Sequence, residues 1–272
     1  MQEMRIFPQQ EEFFNKLSAI VKVFQDSDGA IRPHAHITGP SGSGKSYLIK
    51  KLADSRKIPF LEINAAGLTA EGLSGNSISK ALGKLREHWD KPNIVFVDEF
   101  DKLFLRNGET TEGFRTAVQD EFLTMLESKY ASVFGEYGKY DQIVVENSLF
   151  FFAGAYSDQE IRTMAQLRDA GIRREFIGRV PLVLYTEAIP LNEVVKYIPN
   201  TALFKNYSEM FPQKVKGASQ KISQIIQEQG NEFSIGIRML NSATHQYFLS
   251  GIAAEPFSAP LVKKTKALFK LK

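Results

Sequence analysis

The chain has 272 residues, of which 43% are hydrophobic and 24% charged, and its formal net charge is +3. This composition is typical of a folded protein with one large or two modest domains, and the charge is too small to indicate nucleic-acid binding by itself. There is no cysteine, which excludes disulfides, thiolate metal sites and cysteine nucleophiles. The sequence shows neither a secretory leader nor a membrane-spanning apolar run, so we expect a cytoplasmic protein with no membrane partner.

An amphipathic helix is predicted first, because apolar residues recur at helical spacing from Phe13 to Phe24. A short strand at 34–38 and a helix from Ser46 to Ala53 then enclose a glycine-rich segment. That segment has the phosphate-loop pattern G-x-x-x-x-G-K-S and consists of Gly39, Pro40, Ser41, Gly42, Ser43, Gly44, Lys45 and Ser46. A strand before this loop and a helix after it are the context that the motif requires.

The loop indicates a nucleoside triphosphate site. Its glycines let successive N–H groups point at phosphate oxygens, Lys45 supplies a positive charge, and the Ser46 hydroxyl can ligate Mg²⁺. We assign the next residue, Tyr47, to the nucleotide-binding set as well. The predicted cofactors are ATP and Mg²⁺.

Further apolar runs alternate with helices along the chain. Strands are predicted at 59–63, 94–97, 149–153 and 182–185, with helices around Ile78 to Leu85 and Phe114 to Met125. Continuous apolar strands between helices are typical of a parallel sheet that is buried on both faces. The predicted fold is therefore α/β, a doubly wound parallel sheet of about five strands.

Two acids end the run at 94–97. Asp98 and Glu99 follow a buried strand about fifty residues after Lys45, which is a Walker B pattern. A carboxylate beside a phosphate loop can hold Mg²⁺, which we assign to Asp98, and its neighbour Glu99 can polarise the attacking water.

Phosphoryl transfer also needs positive charge near the transition state, which an arginine commonly supplies. The candidates are the arginines of the segment Gly171 to Pro181 and Arg238, at the start of a later helix. Spacing alone does not choose among them, because most surface arginines only face solvent or pair with a carboxylate.

Only helical periodicity is visible after about residue 188. We therefore predict an α/β ATPase domain at 1–187, a small all-helical lid at 188–255 and a basic tail at 256–272. The tail alternates lysines with apolar residues, which is typical of an amphipathic helix with a solvated face or of a docking segment.

The order of these motifs resembles the AAA+ ATPases, and specifically the ClpX-like branch of the Clp unfoldases. The similarity extends over about residues 33–250 and is densest at the phosphate loop, at 97–102, at Glu175 to Pro181 and at 199–207. The resemblance implies that Arg179 is an arginine finger that reaches the nucleotide of an adjacent subunit. It also implies that Arg238 is a sensor-2 arginine of the lid, and that the subunits form a homo-oligomeric ring, usually a hexamer.

The chain also departs from that family. Gly72-Leu73-Ser74-Gly75 stands where the family has an aromatic pore loop, and a second pore loop is shortened, with Arg106, Asn107 and Gly108 at its tip. The zinc-binding domain and the peptidase-docking loop have no counterpart in this sequence. We therefore expect a protein substrate to be engaged near Leu73 without a ClpP-type peptidase.

Two other functions stay open at this stage. An ATP-dependent nucleic-acid motor or loader uses the same ATPase core and is favoured by the basic tail, but the segment 69–79 has few basic residues. A nucleotide-gated assembly switch needs hydrolysis only to time its assembly.

Overall fold

The computed structural model describes residues 6–68, 77–88, 90–104, 112–134, 139–229 and 237–250. Leu73, the segment 106–108 and the tail 256–272, on which three of the predictions rest, lie outside these residues. The chain divides into two compact units, Met1–Ile189 and Pro190–Lys272.

The first unit alternates helices with strands. Its described strands are β1 Ala35–Thr38, β2 Phe60–Asn64, β3 Asn93–Asp98, β4 Tyr130–Phe134, β5 Tyr140–Val144, β6 Ser148–Ala153 and β7 Leu182–Tyr185. Its described α-helices are α1 Glu11–Asp26, α2 Lys45–Arg56, α3 Ile78–Leu82, α4 Glu112–Glu127, α5 Met164–Asp169 and α6 Arg174–Arg179. Short 3-10 turns follow several of the strands, including one at Phe100–Leu103 and one at Tyr156–Asp158.

Five of these strands form one parallel sheet in the order β2-β3-β6-β1-β7. Strand β1 therefore lies between β6 and β7, and β3 lies on the other side of β6. Because all five strands run the same way, their carboxyl ends meet at one edge of the sheet. The predicted α/β fold is confirmed, and the residues that follow β1, β3, β6 and β7 are brought to that edge.

The sheet is buried on both faces, as its apolar strands predict. Val95 and Val97 of β3 belong to a core that α3, α4, α5 and α6 cover. Their neighbours Ile94 and Phe96 belong to the opposite core, which α1 and α2 cover. This alternation follows from the two-residue period of a strand.

A β-hairpin was missed, and so was α6, whose segment was expected to be a turn. Strands β4 and β5 form an antiparallel hairpin in which Tyr130 pairs with Val144. The prediction considered only continuous apolar runs, whereas these strands alternate: Ala131, Val133 and Ile143 are buried, and Tyr130 and Tyr140 are exposed. A one-sided strand of this kind carries a weaker apolar signal than a fully buried one.

The second unit is helical in its described part. Its helices are α7 Leu191–Lys196, α8 Ala202–Met210, α9 Ala218–Gln229 and α10 Ile237–Leu249. Helices α8 and α10 pack through aromatic rings: Tyr207 stacks on Phe248 with 4.9 Å between ring centroids, and Phe204 meets Phe248 edge to face. Among the described residues, no helix combines the length and apolar character needed to cross a bilayer.

Candidate nucleotide site

The phosphate loop joins β1 to α2 at the carboxyl edge of the sheet. Gly39 has φ +130° and Gly44 has φ +91°, which are backbone conformations that residues with a side chain rarely adopt. Contacts add a second constraint, because a Cβ on Gly39 would lie 2.2 Å from the Thr186 carbonyl oxygen and one on Gly44 would lie 2.6 Å from Gln10 Nε2. Glycine is therefore required at Gly39 for conformation and for space, and at Gly44 chiefly for conformation.

Lys45, the first residue of α2, is buried and lies over the loop. Its Nζ donates hydrogen bonds to the carbonyl oxygens of Gly39 at 2.6 Å and of Pro40 at 2.9 Å. These carbonyl dipoles hold the ammonium group above the loop backbone. A positive charge held there fits a triphosphate whose oxygens accept from the same loop.

Ser46 and Asp98 are brought together from α2 and β3. The Ser46 hydroxyl donates to Asp98 Oδ2 at 3.2 Å, and Asp98 Oδ1 accepts from the backbone N–H of Glu99 at 2.9 Å. Mg²⁺ in nucleotide sites is usually held by one or two protein oxygens together with substrate phosphates. A hydroxyl and a carboxylate that converge at the loop therefore fit Mg²⁺-ATP.

Glu99 follows β3 in an uncommon backbone conformation. Its φ is +54° and its ψ is +31°, which is the left-handed region, and its side chain is exposed. A non-glycine residue in this region is strained, and such strain clusters at functional sites. The turn places the Glu99 side chain in solvent directly beside Asp98. Tyr47 is also exposed at this end of α2.

Three further residues support the loop and were missed in the sequence. Gln10 is buried and its Nε2 donates to the Ser43 carbonyl oxygen at 2.6 Å. The Thr186 hydroxyl hydrogen-bonds the Ser43 hydroxyl. Asp158 Oδ1 accepts from the Ser41 backbone N–H at 3.3 Å.

One of these three had a signal in the sequence. Thr186 directly follows a predicted strand of the parallel sheet, and that position places it at the same edge of the sheet as the loop. Gln10 precedes the first predicted helix, and Asp158 lies several residues beyond the predicted strand at 149–153, so the strand pattern fixed neither of them beside the loop.

The two predicted arginines lie in different units. Arg179 is the last residue of α6, and its Nη2 pairs with Glu127 Oε1 of α4 at 2.5 Å. Arg238 is an exposed residue of α10 in the second unit. The residues that the fold brings together at the loop are therefore Lys45, Ser46, Asp98 and Glu99.

Two histidines, His36 in β1 and His34 just before it, have packing roles. His34 accepts a hydrogen bond at Nδ1 from the Phe150 backbone N–H at 3.0 Å, and His36 is enclosed by Phe100, Phe152 and Phe176. In the part of the chain that the structure describes, no three His, Asp or Glu side chains gather into a metal-binding group.

Comparison with known proteins also indicates an ATPase. A family model described as ATPase family associated with various cellular activities (AAA) matches residues 35–175. The chain is 30% identical over 213 residues to the ATP-dependent Clp protease ATP-binding subunit ClpX 2 of Wolinella succinogenes, covering 64% of this chain and 53% of that protein. It is 25% identical over 285 aligned positions to the ClpX subunit of Porphyromonas gingivalis, covering 85% and 69%.

The ClpX subunit of Borrelia duttonii is 26% identical over 222 residues, covering 64% of this chain and 52% of the relative. The chain thus spans about half of the length of two of these relatives and 69% of the third.

Proposed function

This chain belongs to the AAA family of ATPases, whose model matches more than half of it, and we propose that it acts as a homo-oligomeric ring that hydrolyses Mg²⁺-ATP to remodel a protein substrate. The observation that carries the proposal is the convergence of Lys45, Ser46 and Asp98 beside Glu99 at one sheet edge. Similarity to ClpX subunits favours a protein substrate over other loads.

Each residue of the site has a role in this proposal. The loop N–H groups and Lys45 bind the phosphates, Ser46 and Asp98 hold Mg²⁺, and the exposed Glu99 carboxylate orients and polarises a water. Mg²⁺, when bound, neutralises charge on the phosphates. Arg179 supplies positive charge to the site of an adjacent subunit, and Arg238 contributes from the helical unit of its own chain.

Independence from a ClpP-type peptidase is part of the proposal. In ClpX-like proteins the docking loop is a long insertion, whereas here the described segment from Tyr156 to the start of α6 at Arg174 holds one short α-helix, Met164–Asp169. Substrate contact near Leu73 also belongs to the proposal.

The first test concerns the shared site. We expect Arg179→Ala to lower kcat for ATP hydrolysis by about 10³-fold or more, while ATP affinity stays near that of the native protein, because the finger acts mainly in the transition state. The measurement is steady-state hydrolysis together with ATP binding by calorimetry. Arg168→Ala is a matched control, since Arg168 is a surface arginine paired with Asp169; equal rates for the two variants would contradict the finger role.

The second test concerns the load. We expect Glu99→Gln to bind ATP but to lower hydrolysis by about 10²–10⁴-fold, and hence to hold the ring on its substrate. Affinity capture of this variant in ATP should retain a protein, with Lys45→Ala, which loses the phosphate-binding charge, as the control. Recovery of DNA or RNA instead of protein would exclude the proposed load.

A further inference from the structure

Arg179 is held by one carboxylate at the end of a neighbouring helix. Glu127 is the last residue of α4 and Arg179 the last residue of α6, and their charged groups meet at 2.5 Å. Both side chains are about half exposed, at 49% for Glu127 and 55% for Arg179. The pair therefore lies at the surface, where another molecule can reach the guanidinium group.

Docking of α6 against α4 does not depend on this pair. Phe122 of α4 and Phe176 of α6 are fully buried and both pack on Phe152 of β6, at 5.5 and 4.9 Å between ring centroids. A second ion pair joins α4 to the residue that precedes α6, because Arg173 Nη1 contacts Asp120 Oδ1 at 2.6 Å. The helices are thus already fixed by buried rings and by a separate charge pair.

What Glu127 fixes is the side chain of Arg179. Arginine has a long chain with many rotamers, and its planar guanidinium carries five N–H donors. One contact to Glu127 restricts those rotamers and leaves the other donors of the fork for an incoming phosphate. A half-exposed ion pair is too weak to retain an arginine against a triphosphate, so the contact orients Arg179 and does not sequester it.

We propose that Glu127 is a positioning residue for catalysis in the adjacent subunit, which it serves by presetting the orientation of Arg179. The inference rests on the proposed shared site. Holding a charged group in the orientation that the transition state requires raises the reaction rate, because even a small displacement from that orientation lowers it. In this proposal Glu127 acts only through Arg179.

The direct test is Glu127→Gln, which keeps the size of the side chain and removes its charge. We expect kcat to fall about 3- to 5-fold with KM for ATP nearly unchanged, since the interaction affects the transition state more than ATP binding. Asp120→Asn is the matched control, because it removes the other ion pair beside α6 and should keep the native kcat. Equal losses in both variants would show that the pair only supports helix packing and would overturn the proposal.

A mixing experiment separates the orientation of the finger from an effect on the subunit's own site. Arg179→Ala subunits keep an intact site but lack a finger, and Glu99→Gln subunits keep a finger but do not hydrolyse ATP. We expect mixed rings to regain hydrolysis. Glu99→Gln subunits that also carry Glu127→Gln should restore about 3- to 5-fold less, whereas the Glu99→Gln, Asp120→Asn donor should restore as much as Glu99→Gln alone.

The outcomes distinguish the role of Glu127 from the existence of the shared site. Equal rescue by donors with and without Glu127→Gln would overturn the role of Glu127 and leave the shared site supported. No rescue by the Glu99→Gln donor, in rings shown to be mixed, would overturn the shared site and this inference with it.

Discussion

At the scale of single residues, the phosphate loop is built against neighbours that lie far away in the sequence. Gly39 and Gly44 have positive φ values; a Cβ on Gly39 would meet the Thr186 backbone, and one on Gly44 would meet the end of the Gln10 side chain. Gln10 and Thr186 are themselves buried and hydrogen-bonded to Ser43. Contacts within the protein therefore hold the loop backbone in shape.

Gly39 provides a test of that close fit. Gly39→Ala places a methyl group 2.2 Å from a backbone oxygen of Thr186 at φ +130°, so strand or loop has to move. We expect the free energy of unfolding to fall by about 2–4 kcal/mol and ATP affinity to fall with it, as measured by urea unfolding and calorimetry. Gly67→Ala is the control, since a methyl group there would meet no neighbouring atom within 4 Å; equal effects would contradict the steric argument.

At the scale of elements, the ends of β3 and β6 are tied to each other. Asp101 follows β3, is buried, and accepts a hydrogen bond at Oδ2 from the Tyr156 backbone N–H at 3.0 Å. Tyr156, Ser157 and Asp158 all have φ between +50° and +59°. Such a run of left-handed residues persists only where surrounding contacts fix it, and Asp101 is one of those contacts.

Asp101 should therefore matter for stability and for the site. We expect Asp101→Ala to lower the free energy of unfolding by about 1–3 kcal/mol, because it leaves a buried N–H without its acceptor. Asp101→Asn keeps an acceptor oxygen and should cost less. Chemical unfolding of both variants measures the difference. A loss in Asp101→Asn as large as that in Asp101→Ala would assign the effect to charge instead of to the hydrogen bond.

The observed helices and strands also show which sequence patterns were sufficient to predict an element. The five sheet strands were predicted because continuous apolar runs that alternate with helices are typical of a parallel sheet buried on both faces. The β4–β5 hairpin was missed because its strands bury one face only. The helix predicted from Ile78 to Leu85 is α-helical only to Leu82 and continues as a 3-10 turn at Gly83–Glu87, a distinction that apolar spacing does not make.

At the scale of the whole molecule, two buried histidines, His36 in β1 and His34 just before it, link stability to pH. Burial lowers the pKa of His36 to about 3, and burial together with the charge of Arg32 lowers the pKa of His34 to about 3. Both imidazoles are therefore neutral in the folded protein. Neither ring nitrogen of His36 has a hydrogen-bond partner among the described residues.

The sign of the effect follows from proton counts. An unfolded histidine has a pKa of about 6.5, so between about pH 6.5 and 3 the unfolded chain binds more protons than the folded one. Stability is then complete above about pH 6.5 and falls as the pH decreases towards 3, by up to about 1.4 kcal/mol per pH unit for each histidine.

Replacement of His36 tests this linkage. We expect His36→Leu to reduce the pH dependence of the unfolding free energy by the share of one histidine between about pH 6.5 and 4. The cost at neutral pH should be small, less than about 1.5 kcal/mol, because an apolar side chain of similar volume replaces a ring with no hydrogen bond to lose. Urea unfolding across this range is the measurement, and an unchanged slope in both His36→Leu and His36→Phe would contradict it.

The sequence by itself determined the fold class, the ATPase family and the ClpX-like character, and these are confirmed. They are local properties: a phosphate loop is eight consecutive residues, and a buried strand is one apolar run. The structure decided which distant residues hold that loop, since Gln10, Asp158 and Thr186 reach it only through the packing of separate elements. It also gave Arg179 its partner Glu127, because a contact between the ends of two helices depends on how those helices dock and leaves no pattern in either segment.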